Sequence, residues 1–128
     1  MIGEALRALL PKTWHRSHPL VPVIRLTGPI GLPPSPFRQS LTLSLVAGAL
    51  GSAFRLKRAQ AVAIVINSPG GSPVQSTLIY KRIRALAEEH EKQVHIFVED
   101  VAASGGYLVA LAGDEIIADP SSVVGSIG

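Results

Sequence analysis

Apolar residues at helical spacing alternate along this chain with short β-branched runs, and that alternation predicts its architecture. From Ser40 to Arg58, Leu41, Leu45, Val46, Ala49, Leu50, Ala53 and Phe54 recur every three or four positions, which predicts an amphipathic helix with a basic end at Arg55, Lys57 and Arg58. The run Ala61 to Ile66 is too short for a helix of its own and predicts a strand buried on both faces, as in parallel sheets. A second helix is predicted over Pro73 to His90, with Val74, Leu78, Ile79, Ile83 and Leu86 as its apolar stripe. Val94 to Val98 reads as another buried strand. After Glu99 and Asp100 the small residues Val101 to Gly106 lead into an apolar helix, Tyr107 to Ala112, then a strand, Glu115 to Ala118, and a turn at Asp119-Pro120-Ser121. Upstream, seven prolines between Pro11 and Pro36 exclude a continuous helix, leaving one short strand, Val21 to Thr27, whose Pro22 suits an edge or a first position.

Strand, helix, strand, helix, strand is the order of right-handed βαβ crossovers, so the expected fold class is α/β with a parallel sheet covered by helices. Residues 1–20 read as an N-terminal extension and 21–128 as one partial domain. Val123 to Gly128 begins a further element without a partner, so the chain reads as a fragment.

Composition narrows the chemistry. With 128 residues, 47% of them apolar and 16% charged, the chain can build one core. It has no cysteine, so reactivity must rest on oxygen and nitrogen groups. Met1 to Leu10 carries Glu4 and Arg7 and meets Pro11 too early for a secretory signal, and Leu41 to Phe54 falls short of the ~20 residues that cross a bilayer. A soluble, cytoplasmic chain is the default expectation. Charge is lopsided: residues 1–87 hold eleven Lys or Arg against Glu4 alone, whereas 88–128 hold Lys92 against eight acids. That asymmetry allows a peripheral contact with anionic membrane lipid, or simply solvated faces that neutralise one another. No nucleic-acid partner is expected.

In open parallel sheets ligands gather beyond the carboxyl ends of the strands, and two consecutive strands here end in small-residue turns. The first, Ser68-Pro69-Gly70-Gly71-Ser72, offers backbone N–H groups that no side chain obstructs, as an oxyanion hole requires. The second, Ala102-Ala103-Ser104-Gly105-Gly106, sets a hydroxyl where a strand enters a helix, the logic of a nucleophile elbow with alanine in place of the first glycine. Either turn alone could be only a tight connection. Together they make Ser104 a candidate nucleophile. A serine needs a histidine or a desolvated lysine as base, and none is evident: His15, His18, His90 and His95 read as structural or exposed, and Lys12, Lys57, Lys81 and Lys92 sit in polar neighbourhoods.

Asn67 to Ser72, Val101 to Tyr107, and Asp119-Pro120 leading to Gly125-Ser126-Ile127-Gly128 resemble, in order and spacing, signal peptide peptidase A and its relatives over roughly residues 20–128. The resemblance implies a Clp/crotonase-like α/β fold and a serine endopeptidase acting on apolar peptides such as cleaved signal peptides. It implies Ser104 as nucleophile with a lysine base, and oxyanion amides from Gly71, with Gly70, and Gly105. Ser72, Ser126 and Ile127 would border the substrate cleft. No cofactor or metal is implied, and a homo-oligomer is expected of the complete protein. In such relatives the lysine lies beyond the Gly-Ser-Ile-Gly segment, so it is expected outside this chain, and the fragment alone is expected to be inactive. A lysine base made neutral by burial would give activity that rises toward alkaline pH. Three other readings stand beside this one: a Clp proteolytic subunit, which would need a histidine after Pro120 where there is none; a crotonase-type acyl-CoA enzyme using Glu99 or Asp100; and a non-catalytic structural subunit.

Overall fold

The computed structural model describes Leu9 and residues 18–31 and 40–126; Pro11, Lys12, His15, Pro33, Pro34, Pro36, Ile127 and Gly128 lie outside the described residues. Strand β1 spans Val23–Thr27, and helix α1, Leu43–Phe54, leads to β2, Ala61–Ser68. Helix α2, Pro73–His90, connects to β3, Gln93–Ala103, followed by α3, Gly105–Ala110, β4, Glu115–Ala118, and β5, Val123–Gly125. All pairings are parallel, in the order β1-β2-β3-β4. Strand β3 changes partner along its length: His95 to Val98 pair with β4, and Val101 to Ala103 pair with β5. The predicted parallel α/β sheet is therefore the fold, and in a sheet of monotonic order crossovers of the usual right hand bring successive helices to one face.

Local chemistry sets the helix ends. Thr42 caps α1, its hydroxyl accepting from the Leu45 N–H, so the helix starts after Leu41 and not at Ser40. Ser72 caps α2 in the same way toward Gln75, with Pro73 at the first helical position, where its missing N–H costs nothing. Arg55, Lys57 and Arg58 fall past the end of α1, in the exposed turn to β2.

The core lies between helices and sheet. Ile24, Leu26, Val62, Ile64, Ile66, Val94, Ile96 and Val98 point from the strands toward Val46, Leu50 and Phe54 of α1 and Ile79, Ile83 and Leu86 of α2. Each large side chain so buried contributes about 1.5–3 kcal/mol. The apolar stripes hold at Val46, Leu50, Phe54, Ile79, Ile83 and Leu86 but fail at their margins. Leu45 (58% exposed), Val74 (66%) and Leu78 lie outside, whereas Ser76 and Ala87 are buried, because the helices' angle to the sheet selects a narrower face than spacing alone does. Burial of the strands on both faces is also corrected: among the described residues the helices cover one face, and Val65 and Asn67 are half-buried while Phe97 is exposed on the other.

Candidate active site

Ser104 stands at the junction of β3 and α3 with φ 54° and ψ −121°. A non-glycine residue held there stores about 1–3 kcal/mol of strain, which the surroundings must over-determine. They do so through the backbone. The Ser104 N–H donates to the Gly125 carbonyl at 2.7 Å, and the Ser104 carbonyl accepts from the Leu108 N–H at 3.1 Å. The hydroxyl makes no capping bond, and the residue is exposed while Ala102, Gly105 and Gly106 around it are buried. Backbone fixed and side chain presented is the arrangement of a nucleophile elbow. The small-residue segment before it, expected as a turn, is the end of β3, because β5 pairs with it and supplies its hydrogen bonds.

The turn after β2 lies against the elbow. A Cβ placed on Gly70 would stand 2.6 Å from the Gly105 nitrogen and 2.9 Å from the Ser104 Cβ, so only glycine lets the two turns meet. The Ile30 N–H donates to the Gly70 carbonyl at 3.0 Å and the Ser72 N–H to the Ile30 carbonyl at 2.8 Å, which clamps the turn to the segment after β1. The Gly70 N–H is already spent on the buried Ser68 Oγ at 3.2 Å. Among the described residues neither the Gly71 nor the Gly105 N–H has an acceptor, and the Cβ position of Gly105 lies 3.5 Å from the Gly71 nitrogen. Two open donors thus lie side by side next to Ser104. Ser72 serves α2 as its cap, Ser126 (φ 60°) is exposed beside Gly125, and Ile127 is outside the described residues.

No base stands with them among the described residues. Lys57, His90, Lys92 and His95 line a cavity of about 590 Å³ at the amino ends of β2 and β3, the opposite end of the sheet. There Lys92 Nζ donates to the Leu56 carbonyl, and His95 Nδ1 lies 3.0 Å from the Glu115 carboxylate. Lys81 is exposed on α2. The carboxylates raised for an acyl-CoA reading are engaged elsewhere, Glu99 with Arg25 and Asp100 with Asn67. Among the described residues no group of histidines and carboxylates could hold a metal ion.

Sequence reasoning did not give the roles of three residues that shape this site. Ser68 takes the Gly70 N–H. Ser76, fully buried, donates to the Ser72 carbonyl at 2.8 Å and fills the space a Cβ on Gly105 would need. Its signal was present, a serine three residues before Ile79 on the buried face of α2. Asn67 was quoted as part of the turn but lies in β2, and its carboxamide reaches β3.

Residues 87–128, which carry the elbow, match the model of peptidase family S49. The chain is 60% identical over 123 residues to a protein of Brucella melitensis named Na(+)/H(+) antiporter NhaA, covering 96% of this chain and 17% of that protein. Within the matched stretch no described helix is long and apolar enough to cross a membrane. It is 36% identical over 106 residues to the chloroplastic serine protease SPPA of Arabidopsis thaliana, covering 83% of this chain and 15% of the relative. The chain thus spans about a sixth of these curated relatives. A solved structure, a mutant of the 1510-N membrane-bound stomatin-specific protease, shares the fold with a TM-score of 0.61 at 21% identity, over 84% of this chain and 47% of that one. Over residues 87–128 the chain is thus similar to peptidase family S49, over 106 residues it is similar to the serine protease SPPA, and the solved neighbour shares its fold.

Proposed function

We propose that this chain carries the nucleophile and the oxyanion donors of a serine endopeptidase. The observation that supports it best is the strained, exposed Ser104 beside the open Gly71 and Gly105 amides. Ser104 Oγ attacks the peptide carbonyl, and those two amides hold the oxygen as it becomes negative. Collapse releases the amine and leaves an ester on Ser104, which water hydrolyses. The base is a neutral lysine supplied from outside the described residues, in the same chain or a neighbouring protomer of a homo-oligomer. Extended apolar peptides, such as cleaved signal peptides, are the substrates, entering past Ser72, Ser126 and Ile127. No cofactor takes part. The test is hydrolysis of an apolar peptide by the protein as its gene encodes it. Ser104→Ala should reduce turnover to background, and turnover that survives the change would refute the reading.

A further inference from the structure

We infer that Asn67 is a positioning residue for Ser104: its carboxamide pins an irregularity in β3 and so fixes where the strand delivers the serine. The inference rests on the reading of Ser104 as nucleophile. Strands β2 and β3 pair one to one from Ala61↔Gln93 to Ile66↔Val98, and the next pair is Ser68↔Ala102. A step of two residues on β2 therefore answers a step of four on β3, leaving two extra residues in β3. Such an insertion takes local backbone groups out of the ladder and bends the strand that carries it.

The side chain of Asn67 fills the gap. Its Oδ1 accepts the Val101 N–H at 3.2 Å, and its Nδ2 faces the Asp100 carboxylate at 3.4 Å. Its backbone carbonyl accepts from the Gly28 N–H at 2.9 Å, which ties the same residue to the end of β1. Val101 is where pairing with β5 begins, and three residues later the Ser104 N–H closes on the Gly125 carbonyl. The path of β3 from Val101 to Ser104 is thus set from one edge by β5 and from the other by Asn67. Reactivity depends on that path, since displacement of a reacting group by about 1 Å costs on the order of a hundredfold in rate.

A carboxamide meets both demands at once, an acceptor toward an N–H and a donor toward a carboxylate. Aspartate keeps the acceptor but sets carboxylate against Asp100. Changing Asp100 to Asn in that background restores a donor–acceptor pair with the roles exchanged.

The test is the rate at which a fluorophosphonate labels Ser104 in the protein as its gene encodes it. Asn67→Asp should slow labelling about tenfold or more per folded molecule, and Asn67→Asp with Asp100→Asn should recover most of the rate. A role confined to stability would lower the thermal midpoint and leave the rate per folded molecule unchanged. Equal rates for Asn67→Asp and the parent overturn the inference while leaving Ser104 as nucleophile. If the parent is not labelled at Ser104, the functional reading fails, and amide hydrogen exchange then decides the positioning. Exchange at Val101 and Ser104 should quicken in Asn67→Asp relative to Ile64 and Ile96 and return in the double variant; unchanged exchange overturns the inference.

Discussion

The two ends of the sheet divide the chemistry between them. Among the described residues, Ser104 and two open amides stand without a base at the carboxyl ends of β2 and β3, and Lys57, His90, Lys92 and His95 stand without a nucleophile at the amino ends. The amino end also has a hollow of about 590 Å³ lined by these titratable groups, the kind of feature that would draw attention on volume and charge alone. What sets the carboxyl end apart is backbone: a serine at φ 54°, two glycine turns in contact, and N–H groups without acceptors among the described residues. Strain and unspent donors are maintained only where surrounding structure enforces them, so they, and not a cavity, are what supports the carboxyl end as the proposed site.

That contrast can be broken by experiment, and the largest effect is expected at Ser104, where alanine removes turnover. Next comes Gly71→Ala. Its Cβ would stand 2.1 Å from the Ile30 carbonyl oxygen, so the turn must shift and withdraw the Gly71 N–H. Steady-state kinetics should show kcat falling about 10²–10³-fold with KM little changed, as for loss of one oxyanion donor. Away from both ends, Ile83→Ala in the fully buried face of α2 should lower stability by about 2–5 kcal/mol in denaturant unfolding, against about 0.5 kcal/mol or less for the exposed Leu45→Ala. Smallest of all should be the double change Lys57→Met with His95→Gln at the amino end, which should leave kcat/KM within about twofold. A large loss there would show that the amino end takes part after all.

The alternation of periods made the parallel fold legible, and helix α2 begins and ends at the residues its pattern named, because Ser72-Pro73 is an unambiguous start. Its buried face was legible in part, at Ile79, Ile83 and Leu86. Ser76 lies inside and Leu78 half outside because the packing angle on the sheet, absent from any single helix, decides which residues meet the strands. At the candidate site, the meeting of the two turns could be argued from strand order alone. The spending of the Gly70 N–H on Ser68 could not, since it depends on a rotamer, nor could the two-residue irregularity in β3 that Asn67 fills. The extension of β3 to Ala103 was hidden because its partner β5 is three residues long and carries no periodicity of its own.

The most direct measurement is to locate the adduct formed when the protein, expressed from its full gene, reacts with a fluorophosphonate, by fragment mass analysis beside the Ser104→Ala variant. The account predicts a single phosphonylated residue, Ser104, and an unmodified variant. An adduct on another residue, or undiminished labelling of Ser104→Ala, would contradict it.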